Sequence, residues 1–156
     1  MSTNPASSLS LPTFHNEPYT DFNQPANAAA AQDAFARVRM DFDREYDLLL
    51  AGERRQSTEK LHSLNPSKPS ESVGIHQKGS QQDALDAIEK AAAYFPEWSQ
   101  QPFARRAALL VKLADVIRHR KLEFDAWLVA EAGKTWPEAE SDVSEAIDFC
   151  EYYARE

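Results

Sequence analysis

The chain has 156 residues, 42% of them apolar, with a formal net charge of −8 and a sequence pI near 5.0. That length can bury a core, while the acidic balance argues against an electrostatic binder of nucleic acid or anionic lipid, which needs a basic face. One cysteine, Cys150, leaves no internal disulfide and fits a reducing compartment.

Met1-Ser-Thr-Asn-Pro5 has neither a positive n-region nor an apolar h-region, so no secretory signal is expected. No apolar run approaches the roughly 20 residues of a spanning helix. A soluble, cytoplasmic protein without nucleic-acid or membrane partners is the expectation.

Residues 1–27 are rich in Ser, Asn and Pro, with Phe14, Tyr19 and Phe22 spaced out. They read as an extended arm, either disordered or laid along another surface through those aromatics. Over 28–43, Ala31, Phe35, Val38 and Phe42 recur every three or four residues, which predicts a helix.

Extended segments follow over 46–76. Tyr46–Gly52 and Glu53–Thr58 read as a hairpin around Ala51-Gly52-Glu53, and Leu61–Leu64 with Val73–His76 as a second pair. Such short strands need another surface to pack on.

A helix over 80–95 opens with Ser80 as cap and Asp83 three residues on. It carries Ala84, Leu85, Ile88, Ala91, Ala92 and Phe95 on one stripe, and Pro96 is expected to stop it. Helical pattern resumes over 103–132, through Phe103, Ala107, Leu110, Leu113, Ala114 and Ile117, with a second stretch from about Leu122. Gly133 is placed for a left-handed helix end, with Lys134 beside the last carbonyls.

Thr135-Trp-Pro-Glu138 fits a capping box for a helix over 136–156, with Pro137 in the first turn. Ala139, Val143, Ala146, Ile147, Cys150, Tyr153 and Ala154 give it one apolar face. No Gly, Asn or Pro closes this helix before Glu156, so the chain reads as cut within it.

Candidate chemistry is sparse. Gly133-Lys134-Thr135 looks like the end of a P-loop, but Leu128 stands where the first glycine belongs and a helix precedes it. The four glycines, Gly52, Gly74, Gly79 and Gly133, are scattered, so no phosphate cradle is expected from this chain. Glu138, Asp142 and Glu145 share helical spacing without a nearby histidine, which reads as a solvated acidic face rather than a metal site. Cys150 lies on an apolar stripe with no obvious base and reads as a structural thiol. Trp98, Trp127 and Trp136 read as packing residues.

From Asn16 to Glu156 the sequence resembles the N-terminal part of the aldehyde dehydrogenase superfamily. The pieces that carry this are Asn16-Glu-Pro-Tyr-Thr-Asp-Phe22, Tyr46-Asp-Leu-Leu-Leu-Ala-Gly-Glu53, Ser63-Leu-Asn-Pro66, Glu131-Ala-Gly-Lys134 and Asp142-Val-Ser-Glu-Ala-Ile-Asp-Phe149. Glu145-Ala-Ile-Asp-Phe149 is most similar to the subfamily that oxidises L-glutamate γ-semialdehyde, the 1-pyrroline-5-carboxylate dehydrogenases.

The resemblance implies an incomplete part of an α/β fold with a Rossmann-type cofactor domain, this segment being mostly α with short β-hairpin strands. It implies NAD-dependent oxidation of the semialdehyde to glutamate, within proline catabolism. In the family a cysteine attacks the aldehyde, hydride passes to NAD, and a glutamate helps water release the product. Those groups lie beyond the matching segment, and Cys150 does not match the nucleophile.

Glu145 matches a family position beside the substrate entrance, where a carboxylate would meet the amino group of the substrate; a solvated helix carboxylate is the competing reading. The implied partners are the remainder of the same dehydrogenase polypeptide and, when complete, further copies of itself. The isolated segment is expected to bind no cofactor and to show no dehydrogenase activity. A different reading stays open: a free-standing helical interaction or scaffold protein derived from the enzyme's front end.

Overall fold

The computed structural model describes residues 11–156; the first ten residues of the expected arm lie outside them. Residues 11–21 adopt no regular structure, and α1 then spans Pro25–Arg39. It starts three residues earlier than periodicity suggests because Pro25 sits in the first turn, where its missing N–H costs nothing. It also ends before residue 43. Asp43 takes φ +60° and its N–H reaches Ser72 O at 3.2 Å, which turns the chain into the strands.

The strands are β1 (Glu45–Tyr46), β2 (Leu48–Leu50), β3 (Glu53–Arg55), β4 (Lys60–Leu64) and β5 (Ser72–Gln77). β2 and β3 form the expected hairpin, Leu48 opposite Arg55 and Leu50 opposite Glu53. Its two-residue turn holds Ala51 at φ +50° and Gly52 at φ +83°, as a tight hairpin turn of matching twist requires. β4 and β5 pair antiparallel, also as expected. Periodicity did not separate β1, which pairs in parallel with β5 and gives the order β1-β5-β4.

α2 runs Gln81–Ser99 and carries the Ser80–Asp83 capping box. Pro96 lies inside it rather than ending it. None of its residues is buried, so water can serve the carbonyl that the proline leaves without a donor.

The pattern over 103–132 resolves into two helices, α3 (Phe103–His119) and α4 (Lys121–Ala132). The break falls at Arg120, with φ −113° and ψ +20°. It lets α3 pack on the last helix, α5 (Trp136–Tyr153), while α4 packs on both α5 and α1.

Gly133 ends α4 at φ +67°, the left-handed cap the sequence called for. A side chain there would also meet Pro66 Cγ at 2.8 Å, so the β4–β5 turn packs against this helix end. Lys134 pairs with Asp142 instead of the helix carbonyls. The Thr135–Glu138 capping box starts α5.

Two apolar clusters form around α4. Ala34, Val38 and Ala126 pack with Phe35, Phe42, Trp127 and Trp136 on the α1 side. Ala114, Val143 and Ile147 pack with Ile117, Phe124, Leu128 and Cys150 on the α3 side. Trp98 is only half-buried and joins neither cluster.

Candidate functional site

α5 organises the polar chemistry. Its capping box sets the start, and burial sets its rotation. Ala139, Glu140, Val143, Ser144 and Ile147 face inward, whereas Ala146 and Tyr153, expected on the apolar stripe, are exposed. The inward face is therefore part carboxylate and hydroxyl, which apolar periodicity alone could not indicate.

The next face of α5 carries Ser141, Glu145, Asp148, Phe149 and Tyr152. It forms a groove of about 480 Å³ whose opposite wall is the arm, through Phe14, Asn16 and Tyr19. The arm is docked, as its spaced aromatics allowed. Phe14 meets Tyr152 edge-on at 5.7 Å, and Phe22 packs on Trp136 at 5.6 Å.

Hydrogen bonds hold the arm as well. Asp148 accepts from Asn16 Nδ2 and from the Glu17 N–H, both at 2.7 Å. Two turns back, Glu140 Oε1 accepts from the Thr20 N–H at 2.7 Å. Arg118 of α3 donates to Glu17 at 2.8 Å and to Glu151 at 3.0 Å. Lys121 Nζ donates to Pro18 O at 2.9 Å, and Arg155 Nε to Pro12 O at 2.9 Å. An irregular segment must place its backbone polar groups somewhere; here two N–H groups end on α5 carboxylates and two carbonyls on Lys121 and Arg155.

Glu145 lies at this groove, exposed, with no hydrogen bond or ion pair among the described residues. Asp148 and the α5 carboxylates around it are engaged by the arm and by cations. The groove thus combines one uncommitted carboxylate with the rings of Phe14, Tyr19, Phe149, Tyr152 and Tyr153. An anionic group beside aromatic faces suits a small cation such as an ammonium.

The other acidic residues singled out in the sequence have local tasks. Glu138 caps α5, and the Thr135 N–H and hydroxyl hold its carboxyl below the ordinary range. Asp142 pairs with Lys134. Cys150 is half-buried beside Ile147, and burial, then the charge of Glu151, pushes its thiol up. That is the opposite of an activated nucleophile.

Glu140, Asp148 and Asp125 were not singled out by sequence reading. A weak signal existed for the first two, since an offset of eight places them on adjacent faces two turns apart, within reach of one segment lying along the helix. Nothing local marks Asp125 of α4 as buried.

The sequence profile described as Aldehyde dehydrogenase family matches residues 53–156. The chain belongs to the aldehyde dehydrogenase family. It is 44% identical, over 94% of its length, to 1-pyrroline-5-carboxylate dehydrogenase 1 of Halalkalibacterium halodurans, of which it covers 28%. It superposes with a TM-score of 0.91 and 44% identity on a Thermus 1-pyrroline-5-carboxylate dehydrogenase solved with bound NAD, covering 94% of this chain and 28% of that one. Proline utilization A of Bdellovibrio bacteriovorus matches at 32% identity and a TM-score of 0.89, over 99% of this chain and 16% of that one. The chain thus spans 28% of the length of the curated relatives it matches. The observed helices and short strands are those of a segment of the aldehyde dehydrogenase fold.

Proposed function

We propose that this chain is the N-terminal part of an NAD-dependent L-glutamate γ-semialdehyde dehydrogenase and works only with the remainder of such a polypeptide. The observation that carries the reading is the joint match, 44% identity with a TM-score of 0.91 across 94% of the chain, to a 1-pyrroline-5-carboxylate dehydrogenase. On this reading the segment forms part of the substrate tunnel wall and scaffolds the cofactor domain. The complete protein is a cytoplasmic homo-oligomer in proline catabolism.

Glu145 then receives the amino group of the semialdehyde. Its uncommitted carboxylate and the rings around it support that role. Two features speak against the pyrophosphate of NAD binding to the described residues. The N-termini of α2 and α5, where a phosphate could sit, already hold the carboxylates of Asp83 and Glu138. Gly52 and Gly133 serve a hairpin turn and a helix end. Cofactor binding is assigned to the remainder of the polypeptide.

Two measurements test this. The purified 156-residue chain with semialdehyde and NAD should form no NADH; turnover would refute the division of labour. In the longer polypeptide, Glu145→Ala should raise KM for the semialdehyde about tenfold or more, the scale of one lost charged contact. An unchanged KM would return Glu145 to the status of a solvated helix carboxylate.

A further inference from the structure

We propose that the carboxyl groups of Asp125 and Glu140 hold one proton between them, and that this proton latches the arm onto α5 at neutral pH. Asp125 is 0% exposed and Glu140 is 2% exposed, on facing helices α4 and α5. Both oxygens of Asp125 and Oε2 of Glu140 are buried without a partner among the described residues. The other oxygen of Glu140 is fully engaged. It accepts from the Thr20 N–H at 2.7 Å and from Lys121 Nζ at 2.6 Å, with the Ser144 hydroxyl at 3.4 Å.

Two bare carboxylates in such a place would lose their hydration and repel each other. A proton on Asp125 makes it a donor, and the orphaned Oε2 of Glu140 becomes its acceptor. One bond then removes the repulsion and gives partners to two of the three orphaned oxygens.

The surrounding charges do not remove the need for that proton. Lys121 is 3.8 Å from Glu17 Oε1 as well as bonded to Glu140, so one ammonium already serves two carboxylates. Glu17 of the arm is in turn paired with Arg118 of α3 at 2.8 Å. Burial, then the hydrogen bond and charge of Glu140, push Asp125 up to about 8, against the pull of Lys121. Burial also acts to raise Glu140, but Lys121, the Thr20 N–H and Asp125 outweigh it and hold Glu140 below its ordinary value. The pair titrates as a unit, with Asp125 the proton carrier and Glu140 the anion.

The pH window follows from these directions. An unfolded aspartate ionises near 4, whereas folded Asp125 keeps its proton to about 8. The folded state therefore binds the extra proton between those values. Its stability falls as pH rises through that window, about tenfold in the folding constant per pH unit for one proton. Glu140 acts in the other direction: its contribution is present above the ordinary glutamate value and is lost as pH falls through its depressed folded value. Once the proton leaves, a second buried charge competes for Lys121 and weakens the Thr20 contact. Tyr19, beside it in sequence, stands 3.4 Å from Ser141 at the groove, so the latch also holds that wall.

Amide exchange on the 156-residue chain tests this, with the Glu17 N–H as internal reference. Both amides donate to α5 carboxylates at 2.7 Å, but only Thr20 uses Glu140. Protection of Thr20 relative to Glu17 should be constant to about pH 7 and fall about tenfold by about pH 9. An infrared carboxylic-acid band should be present at neutral pH and vanish over the same range. In Asp125→Asn the amide supplies the donor permanently, so the band is lost and Thr20 stays protected at high pH. A wild-type chain without that band, or without a protected Thr20 amide, overturns the proposal, as does the same fall in the variant. Should the variant not fold, the wild-type infrared titration decides alone.

Discussion

α2 and α5 are the two longest helices, each begun by a capping box and each amphipathic, yet they end in opposite environments. α5 is clasped by α3, α4 and the arm, and its Ile147 is 0% exposed. α2 buries no residue, and its Ile88 and Phe95 stand 67% and 62% exposed. An apolar stripe thus states that a helix wants a partner but not whether this chain supplies it. The exposed side chains Phe103, Leu109 and Leu113 of neighbouring α3 extend the contrast, since α3 is covered only where it meets α5 and α4. Uncovered apolar surface of this kind marks a face that a partner could cover.

The largest test of the contrast is a matched pair of truncations. Ile147→Ala should cost about 2–5 kcal/mol in urea unfolding, because it empties a closed core site. Ile88→Ala should change stability by no more than about 0.5 kcal/mol in the same chain. Equal losses would mean that α2 is covered in solution, by self-association or otherwise, and sizing chromatography would then identify a second copy.

Two glycines sharpen it at the next level. Gly133→Ala pays for a left-handed backbone and for a Cβ 2.8 Å from Pro66, so about 2–3 kcal/mol is expected. Gly52 has φ +83° but nothing within 4 Å of a Cβ, so Gly52→Ala should cost about 1–2 kcal/mol, the backbone strain alone. Chemical denaturation of the two variants separates the terms.

The smallest effect concerns the caps. Thr135→Ala should lower global stability by about 1 kcal/mol, since α5 is bound into the core. Ser80→Ala removes an equivalent cap, but its effect should show as fraying of α2 in amide exchange with little change in the global midpoint. A global loss from Ser80→Ala would show that α2 folds as one unit with the rest.

Much of the architecture was legible before any coordinates. The Ala51-Gly52 hairpin, the β4–β5 pair, the Ser80 cap, the Thr135–Glu138 capping box and the Gly133 helix end each rest on chemistry within a few residues. The resemblance also indicated the family. The groove was legible only in part: Glu145 was singled out, but not the arm as its facing wall. Glu140 and Asp125 went unnoticed, because charged residues in helices normally face water and only the crossing of α4 and α5 buries these two. Pro96 misled for the converse reason, since on an exposed helix water can reach the carbonyl it leaves without a donor.

By itself the sequence determined where α2 and α5 begin, where α4 ends and where the hairpin turns, because caps and glycines act through neighbouring backbone. Only the tertiary structure decided which carboxylates lose their water, which side of α5 faces inward and where the arm lies. Burial depends on what distant segments place over a residue. No local pattern carries that information.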